Sequence, residues 1–192
     1  MTQRCGWVGT DPLYIAYHDA EWGVPERDSK ALYAKLVLDG FQAGLAWITI
    51  LRKRDAFLRA FDGLDPDRVA QFGEADVQRC LADPGIVRHR GKIEAAIRGA
   101  RAWQEVEAGP GFSAFLWDFV DGVPVQYERR SLAEIPVQSP TSVAMSKALK
   151  KAGFGFCGPT IVYAFMQAVG MVNEHLVDCP RYAEVAALGT PQ

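Results

Sequence analysis

Histidine is scarce in this chain, with three among 192 residues, and cysteine and methionine contribute four each. No uninterrupted apolar run approaches the ~18 residues that mark a transmembrane helix, so no membrane partner is expected. The opening residues MTQRCGWVGT show no basic segment leading into an apolar stretch, and a cytoplasmic location is the expectation. Neither sign of charge is in excess: 21 basic against 23 acidic side chains leave −2, so only a local cluster could attract a polyanion. Repeats and low-complexity tracts are absent. Four cysteines in a reducing compartment read as thiols or metal ligands rather than a disulfide framework. A composition 49% hydrophobic and 23% charged suits one sizeable core, and residues 1–192 are expected to form one domain.

What is present is a succession of helix signals. Asp28-Ser29 caps a helix over about 30–39, and DGFQAGLAWITILRKR adds a break near Gly40 to Gly44 and a second, largely apolar helix to about 53. Short helices are expected over about 55–61, over 66–71 behind Asp65-Pro66, and over 75–82. Residues 90–106 place Ile93, Ala96, Ile97, Ala100 and Trp103 at helical spacing opposite Lys92, Arg98 and Arg101. A helix over 112–119 precedes DGVPVQYERR, the one stretch with extended character, and Thr141 or Ser142 caps a helix to about 151. Pro159 suits the first turn of TIVYAFMQAV, which is apolar nearly all round and stops at Gly170, as a central core helix would. The class is all-α.

Two pairs of soft ligands lie at the ends of the chain. Cys5 and His18 are near the start; His175 and Cys179, near the end, are four apart and would share one face of a helical turn. Together they offer Cys₂His₂, a set that fills the tetrahedral coordination of zinc and makes any bound ion structural. The alternative is two small buried thiols and hydrogen-bonded histidines, because the four match no zinc-finger spacing.

LADPGIVRHRGKIEAAIRGAR, residues 81–101, resembles a helix-hairpin-helix element, placed at about 75–106. Gly85 lets backbone amides approach a phosphate, the next helix N-terminus adds its positive dipole end, and Arg88, Arg90 and Lys92 cluster beside it. A Pro-Gly turn with a solvated basic face is the alternative. SKALKKAGFGF at 146–156 adds Lys147, Lys150 and Lys151, which fit either account.

RCGWV, DPLYIAYHDAEWGVP, LDGFQAGLAWITILRKR, GIVRHRGKI and SKALKKAGFGFCGPTIVYAFMQAVGMVNEH, closed by Cys179, are similar in content and order to the DNA-3-methyladenine glycosylase I family. The resemblance implies a helix-hairpin-helix glycosylase fold of two helical lobes, with a structural Zn²⁺ on Cys5, His18, His175 and Cys179. It implies a partner, double-stranded DNA containing alkylated bases, and excision of 3-methyladenine without a lyase step; a monomer is the simplest state. Tyr14, Tyr17 and Trp47 match the family's base-pocket aromatics, with Trp7 and Trp22 as walls or supports. Gln42-Ala43-Gly44-Leu45 matches the segment that fills the gap left in the duplex, Gly44 and Leu45 touching DNA.

A 3-methylated adenine nucleotide carries positive charge on the base, which favours aromatic faces and a carboxylate. The family usually places Glu where this chain has Asp39, which keeps the charge one methylene shorter. A cationic base leaves easily, and the family accordingly lacks the catalytic Asp found beyond the hairpin in related glycosylases. The rival expectations are a non-catalytic binder of alkylated DNA and a zinc hydrolase of small nucleosides, the latter opposed by a four-ligand site with no open position.

Overall fold

The computed structural model describes residues 4–189. Its helices are α1 (Pro12–Ala20), α2 (Ser29–Gln42), α3 (Trp47–Ala60), α4 (Pro66–Val69), α5 (Glu74–Ala82), α6 (Arg90–Glu107), α7 (Phe112–Trp117), α8 (Pro140–Ala152), α9 (Pro159–Ala168) and α10 (Pro180–Leu188). Five of them begin behind a side chain that accepts the hydrogen bond of an early amide: Asp11 from Leu13, Asp28 from Ala31, Asp65 from Asp67, His89 from Lys92 and, for α8, Ser139 from Ser142. In the last case Ser142 Oγ also accepts from the Ser139 amide at 2.9 Å, so the cap of α8 is Ser139 rather than Thr141 or Ser142, with Pro140 at the first turn.

Helix α3 runs unbroken through the expected boundary near residue 54. Its apolar stripe continues from Ile50 to Phe57 and Ala60, all buried, while Arg52 and Asp55 lie outward. The core forms around α2, α6 and α9, where Leu32, Tyr33, Leu36, Ile93, Ala100, Val162 and Phe165 interlock. Tyr33 satisfies its buried hydroxyl by donating to the Ala96 carbonyl at 2.9 Å. A second, smaller cluster gathers Cys5, Val8, Tyr17, Trp22, Leu51, Ala168 and Cys179, and joins the N-terminal segment to the C-terminal one.

The helical class holds, with one addition. Strand β1 (Val125–Gln126) pairs in parallel with β2 (Val172–Asn173), Val125 opposite Val172, and an isolated bridge continues the ladder at Arg129 and Leu176. The extended stretch after α7 therefore grips the segment that carries His175. This changes the geometry of the His175/Cys179 pair: the residues between are a bridge and a turn, with Cys179 amide donating to Leu176 carbonyl at 2.8 Å, and Cys179 is the cap of α10. The two side chains converge across that turn, not on a helix face.

Candidate active site

α1, α2, α3 and α9 enclose a cavity of about 170 Å³ lined by Trp7, Tyr14, Tyr17, Trp22, Lys35, Asp39, Gln42, Trp47, Ala164, Gln167 and Ala168. All five expected pocket aromatics and Asp39 therefore meet in one place. Tyr17 and Trp47 pack against each other on its lining, ring centroids 5.5 Å apart and planes tilted by 46°. Trp7 packs edge-on against Tyr14 at 5.2 Å and Trp22 at 5.0 Å, so these rings form a connected wall.

Asp39 is 1% exposed and ion-pairs through Oδ1 with Lys35, one helical turn earlier. Among the described residues its Oδ2 has no hydrogen-bond partner, and neither has Trp47 Nε1, also buried. Two unpaired polar atoms, one acceptor and one donor, on the lining of one cavity form an arrangement that a ligand with complementary edges would complete. Burial raises the Asp39 carboxyl above its ordinary value and lowers the Lys35 ammonium below its own; their mutual attraction opposes both shifts. Burial likewise raises the Tyr17 phenol, keeping it neutral. Lys35 escaped the sequence reading, although its four-residue spacing from Asp39 was a visible signal.

Behind the aromatic wall, Cys5, His18, His175 and Cys179 are all buried, with ligand atoms within 4.8 Å of one another. Cys5 Sγ lies 3.7 Å from His175 Nδ1, and Cys179 Sγ lies 3.6 Å from His18 Nε2 and 3.8 Å from His175 Nδ1. The outer ring nitrogens have partners: His18 Nδ1 meets Asp19 at 2.8 Å, and His175 Nε2 meets the Trp22 carbonyl at 3.0 Å. Those bonds place a proton on the outer nitrogen of each ring and leave the inward one as a lone-pair donor. Arg4 holds Asp19 through a hydrogen bond, lowering its carboxyl to about 2. Burial takes His175 down to about 4 and lowers His18, so both rings are neutral, as ligation requires. Burial pushes the Cys5 thiol up to about 12, a cost that a cation bound to the sulfur would offset. The donor set and its outer hydrogen bonds fit a closed tetrahedral metal site.

The turn between α2 and α3 places Gly44 at φ +81° with nothing within 4 Å of an added Cβ, and Leu45 is 42% exposed beside it. Lys92, expected at a phosphate, points inward instead. It is 7% exposed and donates to the carbonyls of Phe41 at 2.8 Å and Ala43 at 2.7 Å, capping α2 and bracing this turn. Arg101, although exposed, donates to the Ala70 and Phe72 carbonyls just beyond α4, both at 3.0 Å, so the basic face of α6 is partly engaged within the protein.

Between α5 and α6, the Gly85 amide donates to Asp83 Oδ1 at 2.7 Å rather than facing outward. A Cβ there would stand 3.0 Å from that of Ala56, so glycine serves the approach to α3. The Val87 and Arg88 amides find no acceptor among the described residues, and the Arg88 side chain is exposed. Arg90 is engaged by Glu74 at 2.9 Å and Glu94 at 3.2 Å.

The geometry defines a helical protein with an aromatic cage around a buried carboxylate, held from behind by a four-ligand cluster. Residues 7–182 match the model of the methyladenine glycosylase family, and the chain belongs to that family. DNA-3-methyladenine glycosylase 1 of Escherichia coli K12 is 54% identical over 181 residues, covering 94% of this chain and 97% of the relative. DNA-3-methyladenine glycosylase of Haemophilus influenzae Rd is 47% identical, covering 94% and 98%. The solved 3-methyladenine DNA glycosylase I from Staphylococcus aureus, whose structure addresses 3-methyladenine recognition, superposes with a TM-score of 0.91 at 40% identity, covering 94% and 97%.

Proposed function

We propose that this protein is a DNA repair glycosylase that takes a 3-methylated adenine nucleotide out of the duplex and hydrolyses its N-glycosidic bond, leaving an abasic site. The unpaired Asp39 Oδ2 among aromatic rings carries this reading: a cationic base would be held by ring faces and by the carboxylate. Tyr14, Tyr17 and Trp47 would stack on the base, with Trp7 and Trp22 as supports. Trp47 Nε1 would donate to a ring nitrogen and Asp39 Oδ2 would accept from the exocyclic amine.

Positive charge on the base makes it a competent leaving group, so no second carboxylate is needed to protonate it. The electron pair of the broken bond stays on the base, and water adds to the sugar carbon. Binding that favours the extruded cation, with the DNA's own phosphates near the developing sugar cation, provides the rate. Release without strand cleavage follows, because no lysine is assigned to attack the sugar.

One domain of two helical lobes fits the separate large and small cores, and a monomer needs no further surface. Leu45, on the Gly44 turn, would fill the vacated stack, and Lys92 supports that role by holding the turn rather than by touching phosphate. The α5–α6 hairpin would contact the backbone through the Val87 and Arg88 amides and Arg88, with Arg90 exchanging its carboxylates for phosphate. A zinc ion on Cys5, His18, His175 and Cys179 would fix His18 and with it the neighbouring Tyr17. Incubation with methylated duplex DNA tests the proposal. Free 3-methyladenine and an intact abasic strand are expected; tight binding with no released base would identify a binder instead.

A further inference from the structure

The base pocket already contains a cation. Lys35 pairs with Asp39 and sets its Nζ 4.1 Å from the centroid of the Trp47 ring. Carboxylate and ring face are the two interactions by which a cationic base would be held. Lys35 also lines a second cavity, of about 290 Å³, that shares Tyr17 and Ala168 with the first and has Glu21 and Glu26 on its lining. The charged and titratable groups around Lys35 are Asp39 on α2, Tyr17 on α1, Glu21 just beyond α1, and Arg54 on α3, which pairs with Glu21 at 2.6 Å. Lys35 thus has its ion-pair partner Asp39 on the first cavity and shares the lining of the second with the Arg54-paired carboxylate of Glu21.

We propose that Lys35 is a resident counter-cation of the base pocket, holding the position of the base's charge, yielding toward Glu21 when a cationic base enters, and reclaiming Asp39 when the base becomes neutral. This rests on the base-pocket reading above. When the bond between base and sugar breaks, its electron pair remains on the base, which thereby loses its positive charge; water supplies the hydroxyl at the sugar carbon and loses a proton to solvent. The released neutral base no longer matches an ammonium for the carboxylate and the ring face. Lys35 therefore displaces product, and weakly bound neutral bases of undamaged DNA fail to displace Lys35.

The test is titration of free 3-methyladenine against tryptophan fluorescence in the full-length wild type, Lys35→Met, Lys35→Gln and Asp39→Asn, at about pH 8, above the ordinary carboxylate range. Circular dichroism would confirm that each variant is folded. Both Lys35 variants are expected to bind the product roughly tenfold more tightly. A burst of N-glycosidic bond cleavage, seen in quenched samples, should precede a slower steady state in these variants, as release of the base becomes limiting. Wild-type affinity should also tighten as pH rises and Lys35 loses its proton, while Lys35→Met shows no such limb.

Equal or weaker binding in both Lys35 variants, with Asp39→Asn weakened, overturns the counter-cation and leaves the base pocket standing. No change in any of the three variants overturns the base-pocket reading, and the counter-cation with it.

Discussion

In the Cys/His cluster, His18 gives its second nitrogen to Asp19 and His175 gives its own to the Trp22 carbonyl. On the other side of Trp7 and Trp22, Asp39 Oδ2 and Trp47 Nε1 have no partner among the described residues. The same short N-terminal segment contributes to both regions, since Tyr17 lines the pocket and His18 joins the cluster. Buried polar atoms without partners cost stability, so a region that completes its hydrogen bonds internally serves structure, whereas one that leaves them open is arranged for something that arrives later. The indoles of Trp7 and Trp22 connect the two, each packing against an imidazole of the cluster and lining the pocket.

The largest effect should come from breaking the cluster. Cys179→Ser removes one of the four proposed zinc ligands, and thermal unfolding should show a loss of roughly 4 kcal/mol or more, about 8–16 °C for a chain of this size, with the metal content of the purified protein falling in step. Next comes Asp39→Asn, which should lower kcat/KM about 10²–10³-fold by removing the only carboxylate in the pocket lining. It also separates the Lys35–Asp39 ion pair, and a double-mutant cycle with Lys35→Met measures how strongly the two are coupled in stability and in excision.

The pH dependence sharpens the same contrast. Burial raises the Asp39 carboxyl above its ordinary 3.8, so the group takes up its proton at a higher pH than a solvated aspartate. Base binding, which needs the carboxylate, should therefore fall as pH falls through that raised value, an acid limb absent from Asp39→Asn. For stability the sign is opposite: the folded state holds the proton more tightly than the unfolded one, so ionising Asp39 as pH rises costs stability in that window. A pH titration of kcat/KM beside one of the melting temperature checks both directions.

Much of the fold was legible. Asp28, Asp65 and the Pro159 and Gly170 boundaries marked helix ends correctly because capping is local chemistry. The unbroken α3 was not, since Arg52-Lys53-Arg54-Asp55 reads as a boundary until Phe57 is seen to continue the buried stripe. Helix α1 was missed despite Asp11-Pro12, a cap followed by proline, because its aromatic residues obscured the apolar period. The parallel pairing of β1 and β2 joins residues 47 positions apart, and nothing local announces it. At the site, the family resemblance, not the residues' own pattern, put the aromatics and Asp39 in one pocket, and they line one cavity. Side-chain direction was beyond reach: Lys92 turns inward and Arg101 lies along the surface, each to carbonyls near a helix end, which depends on neighbours contributed by other helices.

Smaller effects bear on the pocket edge. Trp47→Phe keeps a ring and removes the unpaired N–H, so KM should rise about 3–10-fold with stability nearly unchanged. Gly44→Ala places a Cβ at φ +81° and should cost about 1 kcal/mol, seen as a small shift in chemical denaturation.

The division between a holding region and an acting region is tested most directly by base release per folded molecule, measured for Asp39→Asn and Cys179→Ser below the melting temperature of each. The account predicts that Asp39→Asn keeps its metal and its fold yet releases little 3-methyladenine, and that Cys179→Ser loses metal and stability while its folded fraction still excises the base. Full excision by Asp39→Asn, or a fully metallated and stable Cys179→Ser that cannot excise, would contradict it.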